Sequence, residues 1–150
     1  MSKLIKAQSH FLKQVEVAIS EAEMDALHTT EKELVAAQGA NMVVVPVHLI
    51  AFIDRDASTT QSGTGDLRIG VDGGSTLGED VWIGVRRFMW NESGDRIYNL
   101  SSGLYILPEV CKVLDDFDNK PLTAKMSAAI TSGSLDSVKL HLAYYVYDNS

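Results

Sequence analysis

Val138, Leu140, Leu142, Tyr144 and Val146 fall at every second position near the C-terminus, alternating with Lys139, His141, Ala143, Tyr145 and Tyr147. A period of two places one set on one side of an extended strand, whereas a helix would scatter the same residues around its circumference. Leu122, Ala124, Met126, Ala128 and Ile130 repeat the pattern, and Ser132-Gly133-Ser134 supplies turn residues between the two runs. A terminal β-hairpin with one core face is therefore predicted. Val15, Val17 and Ile19 alternate with Gln14, Glu16 and Ala18, and Leu67, Ile69 and Val71 with Arg68 and Gly70. Each reads as a half-buried strand.

The segments between these strands are short or turn-rich. Ser20-Glu21-Ala22-Glu23 has the spacing of a capping box, and Ile19 and Met24 stand at the hydrophobic-staple positions. This predicts a short helix to about Leu27, ended by Thr29-Thr30. Glu31 to Ala37 reads as a strand, Gln38 to Asn41 as a turn, and Met42 to Asp54 as the longest strand. Pro46 lacks an N–H donor, so it is expected at a sheet edge or a bulge. Asp56 to Asp66 reads as an exposed Ser-, Thr- and Gly-rich loop, and Asp72 to Ser75 as a turn. Val81 to Trp90 fits either a helical stripe (Trp82, Val85, Met89) or a strand face (Val81, Ile83, Val85). Arg96 to Leu107 predicts one or two short strands, and Val110, Val113 and Leu114 precede an acidic turn at Asp115 to Asn119. The long regular helices of a parallel α/β fold are missing. The fold class expected is all-β, an antiparallel β-sandwich, jelly-roll-like, with one or two short helices. Residues 1–13 are expected as an N-terminal arm and 14–150 as a single sandwich domain, a size that can bury its own core without metals or disulfides.

Composition narrows the function. With 13 Lys and Arg against 20 Asp and Glu, the chain carries a net charge of −7, and no dense basic patch offsets it, so no nucleic-acid partner is expected. The one basic bias is at the start, where Lys3, Lys6, His10 and Lys13 precede the first acid, Glu16. That segment suits an arm docking on an acidic neighbour, with a solvated terminus as the plainer alternative. The lone Cys111 excludes an internal disulfide and sits in the apolar setting of a packed thiol. No signal-peptide core stands at the N-terminus, and the apolar run Met42 to Ile53 is too short for a membrane helix. A soluble protein of a reducing cytoplasm, with no membrane partner, is expected.

A search for reactive chemistry returns little. His10, His28, His48 and His141 never stand at i, i+2 or i, i+4. Only His48 and His141 would meet, if their strands pair, in a metal-dependent barrel enzyme. Asp54-Arg55-Asp56 and Asp115-Asp116-Phe117-Asp118-Asn119 are acidic clusters of the kind that can bind Ca²⁺ near turns, but the second lacks the glycine and distal Glu of a calcium loop, and a solvated turn is the plainer reading. Gly63, Gly65, Gly70, Gly73 and Gly74 match neither phosphate-binding fingerprint and read as turn formers. No G-x-S-x-G elbow occurs. No catalytic residue, metal or cofactor is expected, and the chain reads as a non-enzyme. Aromatics remain: Trp82, Phe88, Trp90, Tyr98 and Tyr105 in the middle third, then Tyr144, Tyr145 and Tyr147. They suit core packing, a subunit interface, or a sugar-stacking platform at Trp82, Trp90 or Tyr105.

Two blocks carry a family likeness. Leu27-His28-Thr29-Thr30, then Leu34-Val35-Ala36-Ala37-Gln38-Gly39-Ala40-Asn41 and a Val-rich strand, resembles a segment of small structural proteins of tailed bacteriophages. Asn119-Lys120-Pro121-Leu122, a strand, Ser132-Gly133-Ser134, and a strand containing Tyr144-Tyr145-Val146 resembles the end of the same proteins. Glu31 and Gln38 stand where that pattern has prolines. The resemblance implies a virion protein without enzymatic activity. The favoured form is a homotrimeric capsid decoration (cement) protein that binds itself and the major capsid protein or other virion proteins. It would act in the virion and, during assembly, in the host cytoplasm. A tail or head-fibre component, or a carbohydrate-binding sandwich, is the alternative. Lys3, Lys6, Phe11, Trp82, Trp90, Tyr145 and Tyr147 are the candidate interface residues.

Overall fold

Nine elements follow one another in the computed structural model, which describes residues 11–55, 65–71, 81–85, 95–99, 118–130 and 137–148. They are β1 (Lys13–Ser20), α1 (Glu21–Ala26), β2 (Lys32–Val35), β3 (Met42–Asp54), β4 (Leu67–Val71), β5 (Val81–Val85), β6 (Arg96–Asn99), β7 (Leu122–Met126) and β8 (Ser137–Asp148). The strands form two antiparallel sheets, sheet I in the order β1-β8-β3-β6 and sheet II in the order β2-β7-β4-β5. First pairs with last, second with seventh, third with sixth and fourth with fifth. An antiparallel ribbon folded at its middle and then rolled gives this order, and rolling adds the β8·β3 and β7·β4 contacts. It is the eight-strand jelly roll.

The alternating sequence sets the inner faces. Val138, Leu140 and Leu142 of β8 lie opposite Ile53, Ala51 and Leu49 of β3. Leu67 and Ile69 of β4 meet them from sheet II, with Leu122, Ala124 and Met126 of β7, and all are at most 2% exposed. The capping box forms as its spacing predicts: the Ser20 hydroxyl accepts from the Glu23 amide while the Glu23 carboxylate accepts from the Ser20 amide. The staple residues Ile19 and Met24 are both buried. Helix α1 ends at Ala26, whose carbonyl accepts from the amides of Thr29 and Thr30.

Several expectations change. The terminal hairpin does not form, because β7 lies in sheet II and β8 in sheet I. Alternation specifies a core face but not the strand alongside, and residues 127–136 carry the chain from one sheet to the other. Of the two places expected for Pro46, the bulge is the one observed, at a register shift between Pro46 and His48. The second strand is shorter than expected, and a register shift between Glu33 and Val35 lets the consecutive Leu34 and Val35 both be buried. The ambiguous stretch is a strand over Val81–Val85. The loop at 56–64, the turn at 72–75, and residues 86–90, 100–117 and 131–136 lie outside the described residues. The loop's last glycine, Gly65, is buried, and a Cβ there would stand 2.7 Å from the Ala128 carbonyl oxygen. It permits a close backbone approach and is no turn former. Arg55 likewise departs from a solvated turn, at 4% exposure.

Candidate assembly surface

The residues that leave the core define the candidate surface, and the register of sheet I arranges them in rows. Ala18, Lys139, Phe52 and Ile97 form one outer row across β1, β8, β3 and β6. Glu16, His141, Ile50 and Asn99 form the next, and Gln14, Ala143 and His48 the one after. The large apolar side chains of these rows, Phe52, Ile97 and Ile50, are on the β3–β6 side, and the charged ones, Glu16 and Lys139, on the β1–β8 side. A solvated outer face would alternate apolar-in and polar-out, yet β3 is apolar on both sides, the pattern of a strand covered on both. Ile50 and Phe52 remain half-buried, and Ile97 is 68% exposed.

An open depression of ≈ 420 Å³ surrounds Ala143, lined by Gln14, Glu16, His48, Ile50 and His141 among others. The His141 Nε2 lies 3.1 Å from Glu16 Oε2. Its ring meets Phe52 edge-on at 4.9 Å between centroids, a favourable aromatic arrangement. Pairing of β3 with β8 does bring His48 and His141 onto one face. Among the described residues, however, no three His, Cys, Asp or Glu side chains are grouped to hold a metal. His28 stands apart on α1, where its Nδ1 lies 2.8 Å from the Asp25 carbonyl oxygen.

A second open depression, of ≈ 410 Å³, lies on the other side of Phe52, beside Asp54, Asp95, Ile97 and Lys139. Asp95 Oδ1 accepts from the Arg55 amide at 3.2 Å, tying the start of β6 to the end of β3.

Of the sequence-predicted interface residues, Phe11 is 75% exposed, ahead of the edge strand β1. Tyr145 and Tyr147 do point away from Tyr144, opposite Val45 and Val43, but both are half-buried. Tyr147 and Val45 pack on a separate small cluster of Val43 and Val71, so that end of the outer face is already covered. Lys3, Lys6, Trp90, Tyr105 and Cys111 lie outside the described residues, as does the side chain of Trp82. Sequence reasoning missed Leu12, Phe52 and Ile97. The doubly apolar β3 was the available signal for Phe52; a four-residue strand gives none for Ile97.

The two sequence blocks carrying the phage likeness come together. β2 pairs with β7 and β3 with β8. The Gly39 amide donates to Asn119 Oδ1 at 3.1 Å, and the Asn119 amide to the Met42 carbonyl at 3.0 Å. The Met126 amide donates to the Leu27 carbonyl at 3.0 Å. Gly39, Asn41 and Asn119 all have positive φ, at 110°, 62° and 53°, a backbone that Gly and Asn adopt most readily.

Comparison with known proteins gives weak likenesses of one kind. No protein-family model and no curated protein matches the chain. The capsid of Ralstonia phage GP4 is similar at 16% identity and TM-score 0.44, over 97% of this chain and 90% of that one. The cyanophage Pam1 capsid asymmetric unit is similar at 13% and 0.36, over 91% and 84%. The tobacco streak virus coat protein dimer is similar at 16% and 0.26, over 93% and 89%. At these scores the likenesses carry no argument, and the jelly roll rests on this chain's own strand order and register.

Proposed function

We propose that this chain is a virion structural protein, a capsid decoration (cement) protein that forms a homotrimer and binds the major capsid shell to stabilise it. The observation that carries this reading is the joining of the two resemblance blocks. Segments 80 residues apart meet through Gly39 and Asn119, and three turn residues of the likeness, Gly39, Asn41 and Asn119, have positive φ. A likeness scattered over unrelated parts of the fold would have no such shared geometry. The jelly roll supplies a rigid body with loops and edge strands free for contacts, and a partly apolar outer face is what an association surface needs. Avidity in a ring multiplies weak contacts to the shell. The segment ahead of β1 is proposed as the arm expected over residues 1–13, of which Lys13 already pairs with Tyr144, and the proposed site of action is the virion, with assembly in the host cytoplasm.

Two measurements test the reading. Light scattering of the purified chain is expected to give three times the monomer mass. Shells prepared without the protein should bind it on co-sedimentation and lose their contents at a higher temperature once decorated. A strict monomer that leaves shells unbound and no more heat-resistant would remove the proposal.

A further inference from the structure

Three of the four large apolar side chains most open to solvent among the described residues lie at opposite corners of sheet I. Phe11 and Leu12, 75% and 48% exposed, precede edge strand β1, while Ile97, 68% exposed, lies on edge strand β6. The fourth, Val47, stands at the bulge of β3. Ile97 shares its row with Ala18, six residues beyond Leu12, which is about 20 Å along the strands. Crossing from β1 to β6 adds three strand spacings, about 14 Å. One copy therefore cannot cover its own Ile97 with its own Phe11 and Leu12.

The two corners also differ in charge. Exposed Lys13 follows Leu12, and the sequence before Glu16 holds Lys3 and Lys6 and no acid. The groove beside Ile97 is floored by Phe52 and edged by exposed Asp54 and by Asp95, which also accepts from the Arg55 amide, with Lys139 the one cation among the described residues of its lining. An apolar, cationic segment and an apolar, net acidic groove are complementary.

We propose that Phe11-Leu12-Lys13 of one copy seats in the groove lined by Phe52, Asp54, Asp95 and Ile97 of the next copy. This rests on the self-assembly proposed above and adds its contact. Because the two patches differ, the interface is heterologous, and successive copies close a ring about an axis. Each copy then gives one segment and receives another. Phe11 and Leu12 lose their exposure, and the second apolar side of β3 gains the cover that its sequence implies.

Single cysteines test the geometry in a Cys111→Ser background. Leu12→Cys and Ile97→Cys, each oxidised alone, are expected to stay uncrosslinked, while their mixture gives covalent dimers holding one of each. Crosslinking of either variant with itself would overturn the head-to-tail arrangement. A stable oligomer with no mixed crosslink would overturn the proposed contact and leave self-assembly standing; a monomer at every concentration would overturn both. Charge reversal at exposed positions gives a second reading that does not depend on the cysteine variants folding. Lys13→Glu is expected to weaken association by roughly three- to tenfold. Adding Asp54→Lys should restore much of it, and no recovery, with both variants folded, counts against the contact.

Discussion

β3 and β8 run side by side and present one backbone to two different environments. On the inner side Leu49, Ala51 and Ile53 oppose Leu142, Leu140 and Val138, none more than 2% exposed. On the outer side Ile50 and Phe52 oppose His141 and Lys139, with the first three half-buried and Lys139 exposed. The residue types on β3 barely differ between its two sides. What differs is whether a second layer is present: sheet II covers the inner side, and the described part of this chain leaves much of the outer side open. Apolar area contributes about 25 cal/mol per Å² only when water is removed from it. Folding therefore draws mainly on one side of these strands, and the apolar surface of the other is the one that the proposed association would cover.

Substitutions can break that contrast, and the largest effect should come from the inner side. Leu140→Ala is expected to cost about 2–5 kcal/mol through lost burial and a residual cavity, read as a lower melting temperature by calorimetry. A cost under 1 kcal/mol would mean that the inner face is not the core. Gly65→Ala should follow at about 1–3 kcal/mol. Its Cβ would meet the Ala128 carbonyl oxygen at 2.7 Å and Met126 Cε at 2.8 Å. The methyl group can move, but the backbone carbonyl can do so only by disturbing the exit of β7. Urea unfolding of the variant would show a lower midpoint at unchanged slope.

Smaller effects belong to the corner at α1. Ser20→Ala removes the acceptor of the Glu23 amide and should cost about 1 kcal/mol. Glu23 itself is held down to about 2 from its ordinary 4.5, first by the hydrogen bond from Lys32 and then by that from the Ser20 amide. A depressed carboxyl adds stability above its unfolded pKa and loses it on acidification. The contribution is therefore complete above pH 4.5 and disappears as pH falls toward 2. The Glu23 side chain is 45% exposed, so solvent screening limits the effect to roughly 0.5 kcal/mol. Comparing urea midpoints at pH 5 and pH 2.5 for the natural chain and Lys32→Met checks it: the variant should lose less on acidification.

The legible part of the fold was the part written in local terms. Alternation at Val15, Val17, Ile19 and at Leu67, Ile69, Val71 fixes a strand and its core face without reference to any partner. The Ser20–Glu23 box is a four-residue event and was readable as such. Which strands lie side by side was not: Leu122 and Leu140 carry the same alternation, yet their strands belong to different sheets. Pairing is decided by the rolled ribbon as a whole, a long-range property that no short window contains. Pro46 was half legible, because the missing donor demands a gap in the ladder but does not say whether an edge or a bulge supplies it. The surface was harder still. Tyr145 and Tyr147 were visible as outward-pointing aromatics, but the cover that Val43 and Val71 give Tyr147 arises from the ends of two distant strands. Ile97 lies in a strand too short to show a period, and its exposure follows only from the position of β6 on the sheet edge.

The smallest change expected in folding comes from Ile97, and it bears most directly on the difference between the two sides of sheet I. At 68% exposure its side chain gives up little water contact on folding, so Ile97→Ser should alter the stability of the isolated chain by no more than about 0.5 kcal/mol. The measurement must be made on dilute protein, because any association stabilises the folded state by mass action and would make the melting temperature depend on concentration. In the natural chain that dependence should be present, and in Ile97→Ser reduced, with the two melting curves converging on dilution. A loss of several kcal/mol at high dilution would place Ile97 in the core and erase the distinction between the two sides of sheet I. Unchanged melting at every concentration would instead make its exposure incidental and count against a role for Ile97 in association.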